Sequence, residues 1–398
     1  MYYSYDLIQE IIMKTSIINV ISEYTTLQRL DGTEYCIGLC PFHKESTPSL
    51  YVNYKTKTWV CHGCKKGGNV INFIMHAKKC SYIKAVDFLA KRLKTIDLPD
   101  AKITVNSKKI EQKKDKILAI NKDAGLFYYR QLYNKRGSAG MAYFNKRKLS
   151  EETIKKFGLG YALNYGDTLY KFLIKRGHNE KDIKNAGLIG INKKGEIYDK
   201  FWNRVMYPIM NQDNKIIGFG GRVLDDSKPK YLNSPETIAF NKSENLYGLN
   251  LARYTDRSYF ICCEGYMDVI AMHQAGFTNA VASLGTALTK QQTEIIASYV
   301  DTVYLAYDSD GPGVKAGRRA IELFNEVGIT TKVIKMNPVK DPDEFIKKFG
   351  VKAFEERIEN AESSDRFLIQ SKRMMTEESE SDPSEFYNYA AEILLNQL

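Results

Sequence analysis

"TVYLAYDSDGPGVKAGRRA", residues 302–320, opens as an apolar and aromatic run with strand propensity, breaks at Asp308-Ser309-Asp310, and turns through Gly311-Pro312-Gly313 into a segment of helical character. The same logic governs "YFICCEGYMDVIAM" (259–272), where a short apolar run ends at Glu264-Gly265 and Asp268 follows one helical turn on. It recurs in "TKVIKMNPVKDPDEF" (331–345), which brings Asp341 and Asp343 after a third apolar run. With "NAVAS" (279–283), these short strands alternate with helical segments, and that alternation predicts a βαβ-type, mostly parallel sheet. In open α/β sheets, sites gather beyond the carboxyl ends of the strands, so the three acidic turns should converge. Six carboxylates held together repel unless cations neutralise them. Hard oxygen ligands of this kind suit Mg²⁺ or Mn²⁺. A carboxylate that only caps a helix would explain any one turn, but not all three together.

Working outward, "CPFHKESTPSLYVNYKTKTWVCHGC" (40–64) holds a second constellation: Cys40-x2-His43 and Cys61-x2-Cys64. Two such pairs supply three thiolates and an imidazole, which close a tetrahedral zinc site with no open position, so the expected zinc is single and structural. Between the pairs the sequence alternates like a hairpin, and "TLQRLDGTEYCIGL" (26–39) signals another at Asp31-Gly32. This is a zinc-ribbon pattern. Cys36 reads as a buried strand residue and His62 as solvent-facing rather than as ligands. Tyr51, Tyr54 and Trp59, interleaved with Lys44, Lys55 and Lys57, are candidates for stacking on single-stranded bases, although aromatics in a small sheet more often form its core.

A third stretch, residues 201–249, is basic among strand-like runs and glycines, with Arg204, Arg222, Lys230 and Lys242 placed to offset phosphate charge if they line one groove. The whole chain supports a polyanionic partner: 398 residues carry a formal net charge of +11. Hydrophobic content of 43% and charged content of 26% are those of a globular protein with sizeable cores, not of a disordered one. Apolar runs are short, and "MYYSYDLIQEIIMK" lacks the pattern of a signal peptide, so a cytoplasmic location is expected. An odd set of seven cysteines (36, 40, 61, 64, 80, 262 and 263) fits thiolate ligation better than a disulfide framework.

The organisation expected is residues 1–95 as a zinc-binding domain, 96–116 as a lysine-rich linker, 117–257 as a mixed α+β region, 258–345 as the parallel α/β unit, and 346–398 as a helical segment with an acidic loop. "ILAINKDAGLFYYRQLY" (117–133) and "GMAYFNKRKLSEETIKKF" (140–157) have helical spacing, while "AKITVNSKKIEQKKDK" (101–116) has little apolar periodicity.

From its start to about residue 350 the chain resembles bacterial-type DNA primases of the DnaG family. "GLCPFHKESTPSLYV" and "WVCHGCKKGGNVINFI" are similar to that family's zinc-binding domain. "RVMYPI", "GFGGRVL" and "KYLNSPET" resemble its RNA-polymerase subdomain, and "CEGYMDVI", "ASLGTALT", "YDSDGPG" and "KDPDEF" its Toprim, Rossmann-like, metal-binding fold. The resemblance implies that Glu264, Asp268, Asp308, Asp310, Asp341 and Asp343 are catalytic acidic positions, with Glu264, Asp308 and Asp310 holding magnesium. It implies nucleotide or template binding for Arg147, Arg222, Lys230 and Lys242. It further implies template-directed synthesis of RNA primers on single-stranded DNA from ribonucleoside triphosphates. Cellular members carry a helical helicase-binding domain after the catalytic core, whereas only about 55 residues follow Asp343 here, so a replicative helicase stays a possible partner whose usual contact is in doubt; short primases of this kind resemble those of bacteriophages. No G-x4-G-K-[ST] motif is present, which argues against a fused P-loop motor. Two other readings compete: another Toprim phosphodiester enzyme, topoisomerase- or nuclease-like, for which the 27 tyrosines offer candidate nucleophiles, and a non-catalytic nucleic-acid-binding zinc protein.

Overall fold

A computed structural model describes residues 5–64, 66–78, 80, 82–93, 105–164, 166–285, 287–378 and 383–395. Strands β1 (Leu27–Arg29), β2 (Tyr35–Gly38), β3 (Leu50–Asn53), β4 (Thr58–Cys61) and β5 (Gly67–Asn69) form an antiparallel sheet in that order. The β1–β2 turn uses Gly32 at φ +74°, and β3 pairs with β4 so that Leu50 faces Cys61, as the two hairpin signals require. Helices Tyr5–Lys14, Ile17–Ile21, Val70–Lys78 and Tyr82–Leu93 complete this unit around a core of Ile11, Leu50, Trp59, Cys61, Phe73 and Leu89.

The long helix Val105–Leu132 follows. The expected linker is therefore helical from Val105 onward, while its first part, residues 96–104, lies outside the described residues. Positions 109–116 are exposed all round, which erases apolar periodicity, but Lys, Gln and Glu are good helix formers. From Ile117 the same helix turns amphipathic and packs Ile117, Ile120, Ala124, Phe127 and Tyr128 against strands β6 (Gly160–Ala162), β9 (Arg204–Met210) and β10 (Ile216–Val223). With β11 (Tyr231–Asn233) these give an antiparallel sheet ordered β11-β10-β9-β6, and β7 (Ile189–Ile191) pairs with β8 (Ile197–Asp199) beside it.

The third sheet answers the opening reading. β12 (Tyr259–Cys263), β13 (Ala280–Ala282), β14 (Thr302–Ala306) and β15 (Thr330–Val333) run parallel in the order β13-β12-β14-β15, and a short antiparallel β16 (Glu362–Ser363) closes one edge. Its central strands are buried on both faces, hence their unbroken apolar character. Helix Ser364–Glu378 extends into the stretch expected as an acidic loop, and Pro383–Leu395 follows. Phe367, Tyr389 and Ile393 of this pair pack against the parallel sheet's core. Among the described residues, no helix is long and apolar enough to cross a membrane.

Candidate active site and zinc centre

Glu264 directly follows β12, Asp308 lies two residues beyond β14, and Asp310 and Asp341 cap the helices Gly311–Glu326 and Pro342–Glu359. Parallel pairing, Cys263 beside Ala306 and Leu305 beside Val333, brings these turns to one edge. The turns are also tied together. Asp308 N–H donates to Glu264 Oε1 at 2.8 Å, Ser309 N–H to Lys340 O at 3.1 Å, and Ser309 Oγ to Val339 O at 3.1 Å. Gly313 is required here: a Cβ at that position would fall 2.2 Å from Asp308 O and 2.8 Å from Glu264 Oε1.

Burial holds both Glu264 and Asp308 above the usual carboxylate range, with neighbouring carboxylates adding to the effect. The Lys340 ammonium, 2.9 Å from Asp310 Oδ2 and 3.2 Å from Asp308 Oδ2, pulls Asp310 below it. Two carboxylates that share one cation in this way fit a divalent ion in the ammonium's position. The donors are all oxygen, and the half-exposed setting leaves room for the waters and phosphates Mg²⁺ prefers. The Toprim-type site is thus a site for catalytic Mg²⁺ or Mn²⁺. Lys340 was not singled out from sequence; its place beside "DPDEF" was the only signal.

The other two acidic positions behave differently. Asp268 Oδ2 accepts the Gly265 N–H at 3.1 Å, a helix cap, and burial pushes its carboxyl well above the usual range. Asp343 is 3% exposed and pairs with other cations than Lys340: its Oδ2 accepts from Arg147 Nη1 at 3.0 Å and Lys347 Nζ at 2.6 Å.

Of the basic candidates, Arg222 and Arg147 come together over Tyr143, their guanidinium carbons 4.8 and 5.7 Å from its ring centroid. Lys230 is exposed at the β10–β11 turn and Lys242 half-exposed on a short helical turn. Arg204 does not join them. It is 4% exposed, and its Nη1 and Nη2 each donate to Pro229 O at 3.0 Å, with Gly221 O a further acceptor at 3.1 Å. Sitting inside the sheet at the start of β9, it pins the turn that carries Lys230 and cannot meet a nucleic acid itself.

At the N-terminal unit, Cys40 Sγ and Cys64 Sγ lie 3.8 Å apart, as do Cys61 Sγ and His43 Nδ1. The four ligand atoms fall within 4.8 Å of one another, the only such Cys, His, Asp or Glu group among the described residues. A zinc tetrahedron with bonds of about 2.3 Å to sulfur has sulfur–sulfur edges of about 3.8 Å, so the residues fit structural zinc. Glu45, unremarked in the sequence, organises this site: it accepts Cys40 N–H at 2.6 Å and Ser49 Oγ–H at 2.5 Å, and faces His43 Nε2 at 3.0 Å. That leaves His43 Nδ1 free to bind metal, the carboxylate–histidine–zinc arrangement. Glu45→Ala is expected to weaken zinc binding about 10–100-fold in competition with a chromophoric chelator; unchanged affinity would remove Glu45 from the site.

The stacking candidates are corrected in part. Trp59 is 2% exposed and donates its Nε1–H to Asn69 O at 3.0 Å, so it is core. Lys57 reaches the carbonyls of Ile12, Met13 and Thr15, and Lys55 pairs with Glu34 at 2.5 Å. Cys36 is buried in β2, and exposed His62 meets the Tyr51 ring edge-on at 4.9 Å.

Comparison with known proteins places this arrangement. Residues 3–106 match the CHC2 zinc finger family, 127–253 the DNA primase catalytic core N-terminal domain, and 261–346 the Toprim-like family. The chain is 43% identical over 359 residues to a DNA primase of Clostridium acetobutylicum, covering 90% of this chain and 59% of that one. It is 38% identical over 360 residues to one of Halalkalibacterium halodurans, covering 88% and 58%. The chain thus spans about three fifths of the length of these curated relatives. Among solved structures, the zinc-binding and RNA polymerase domains of the Aquifex aeolicus primase align with a TM-score of 0.61 at 32% identity, over 98% of this chain and 96% of that one. A DnaG primase catalytic domain bound to single-stranded DNA aligns at 0.60 and 34% identity, over 66% and 86%. With zinc finger, catalytic core and Toprim unit in this order, and a relative above 30% identity matched almost end to end, the chain belongs to the DnaG-type DNA primase family.

Proposed function

We propose that this chain is a template-directed nucleotidyltransferase that makes short RNA primers on single-stranded DNA from ribonucleoside triphosphates. The observation that carries this reading is the meeting of Glu264, Asp308 and Asp310 at one edge of the parallel sheet, around a shared cation position. Divalent metal bound there supplies a lowered pKa for the primer 3′-hydroxyl and charge stabilisation on the α-phosphate and pyrophosphate. The protein's own part is positioning. Glu264 fixes the 308–310 turn through the Asp308 N–H and stands where a hydroxyl proton is released. Lys340 trades its two carboxylates for triphosphate oxygens as substrate enters. Asp341 caps the helix Pro342–Glu359 beside these acids, while Arg147, Arg222, Lys230 and Lys242 steer template or triphosphate. The ribbon would engage template bases through Tyr51 and Tyr54 and present the start site. The work belongs in a cytoplasm, the host's if a phage encodes the chain.

A topoisomerase-like reading is not favoured by the two tyrosines adjoining the acidic turns: burial pushes the phenols of Tyr266 and Tyr307 far up, and the Tyr266 hydroxyl donates to Asn233 Oδ1 at 2.8 Å. The test is incubation with single-stranded DNA of varied sequence, four ribonucleotides and Mg²⁺. Short RNA products are expected, and the trinucleotide at which they start reads out the initiation preference. DNA cleavage without RNA synthesis would overturn the proposal.

A further inference from the structure

We propose that Lys340 is a tethered counter-cation of the acidic edge: its ammonium holds Asp308 and Asp310 together before metal arrives, competes with the divalent ion for them, and thereby couples metal binding to triphosphate binding. The competition rests on the acidic edge being the Mg²⁺ or Mn²⁺ site, and the coupling rests on the primase reading as well.

The backbone of Lys340 is fixed against the acidic turn. Ser309 N–H donates to Lys340 O and Ser309 Oγ to Val339 O, each at 3.1 Å, and Lys340 N–H donates to Glu344 Oε2 at 3.3 Å, whose own N–H is capped by Asp341 at 2.8 Å. Its side chain is not fixed in this way. It is 56% exposed, against 20% for Asp308 and 41% for Asp310, and its ammonium makes only the two contacts at 3.2 and 2.9 Å. A compact charge on a flexible four-carbon stem can leave those contacts while its Cα stays in place.

Among the described residues, no other cation forms an ion pair with Asp308 or Asp310, and none does so with Glu264. Without metal, this one ammonium relieves the repulsion among the three acids. A divalent ion that takes the same two Oδ2 atoms must expel it, because two cations cannot share them at contact range. Two ion pairs of this exposure are then given up, which lowers metal affinity about tenfold. The released ammonium stands within reach of whatever anion meets the metal, and a triphosphate supplies that anion. Each ligand therefore relieves part of the other's penalty, and linkage makes the benefit reciprocal.

The test reads binding, so it stands whether or not primers are made. The unaltered chain, Lys340→Met and Lys340→Arg are titrated with Mn²⁺ by electron paramagnetic resonance, alone and with a ribonucleoside triphosphate whose α,β-bridge is methylene. Lys340→Met is expected to bind Mn²⁺ about tenfold more tightly without nucleotide, and the factor by which nucleotide strengthens Mn²⁺ binding should fall by about tenfold. Lys340→Arg keeps the charge and should stay within about threefold of the unaltered chain on both readouts. Direct chelation of Mn²⁺ by the triphosphate is common to all three and cancels in the comparison. A thermal melt gives an independent reading: metal-free Lys340→Met should melt below the unaltered chain, yet gain more on adding Mg²⁺. Unchanged or weaker Mn²⁺ binding by Lys340→Met, or a Lys340→Arg chain that behaves like it, would overturn the competition. Tighter Mn²⁺ binding with undiminished strengthening by nucleotide would overturn the coupling alone. No Mn²⁺ binding by any of the three would overturn the metal site itself, and the proposal with it.

Discussion

Glu264→Gln is expected to lower dinucleotide synthesis about a thousandfold or more, the scale of losing a group that stabilises transition-state charge, while single-stranded DNA binding stays within about twofold. The substitution is chosen for what it keeps. Glutamine retains Oε1, so the hydrogen bond from Asp308 N–H at 2.8 Å survives and the 308–310 turn stays in place. It retains the volume that Gly313 leaves open beneath it. What it removes is the negative charge, at a half-buried position where burial already resists ionisation and a divalent cation is the natural neutraliser. Synthesis from a dinucleotide start, measured with Mg²⁺ and with Mn²⁺, separates chemistry from binding. Undiminished synthesis would sink the metal-catalysis assignment and leave the acidic edge a structural feature, as in a non-catalytic zinc-containing binder.

How far the sequence reached depends on what kind of fact was asked of it. Strand-end acids were legible because the chain itself alternates: apolar run, acid, glycine, helix. Parallel topology then forces those ends to one edge, whatever the side chains do. The zinc ligands were legible because x2 spacing is a distance constraint. Direction of a side chain is not written in this way. Arg204 and Arg222 both stand on a glycine-rich sheet, at adjacent register positions at the same end of the β9–β10 pair (Arg204 faces Val223, and Arg222 faces Val205), yet one is buried under the 221–230 turn and the other rests on Tyr143. Asp341 and Asp343 are two residues apart, but the first caps a helix while the second is turned inward onto Arg147 and Lys347. The same limit applies to Trp59, whose alternation in a hairpin was right and whose face was the core one. The 109–116 stretch failed for the opposite reason, since a helix solvated all round leaves no periodic trace.

Cys61→Ala is expected to abolish zinc binding and unfold the ribbon, because structural zinc sites of this class contribute on the order of 10 kcal/mol or more, comparable to the whole stability of a small domain. Cys61 is wholly buried, pairs across from Leu50 at the end of β4, and shares its core with Trp59, Val70 and Phe73. Loss of the metal therefore reaches the sheet's far strand, β5. That strand and the helix after it touch the Toprim unit: a Cβ on Gly328 would fall 2.6 Å from Gly67 O, and His76 Nε2 lies 3.4 Å from Asp301 Oδ1. The variant should show no bound zinc, a shifted Trp59 fluorescence, and template-dependent initiation reduced at least about tenfold, yet Mn²⁺ binding at the acidic edge as in the unaltered chain. That pattern is the inverse of the one expected for Glu264→Gln, so the pair of variants separates presentation of the template from bond formation. Initiation that persists at full rate in a zinc-free, ribbon-unfolded variant would confine the Cys40–Cys64 knuckles to structure and move template selection onto Arg147, Arg222 and Lys230.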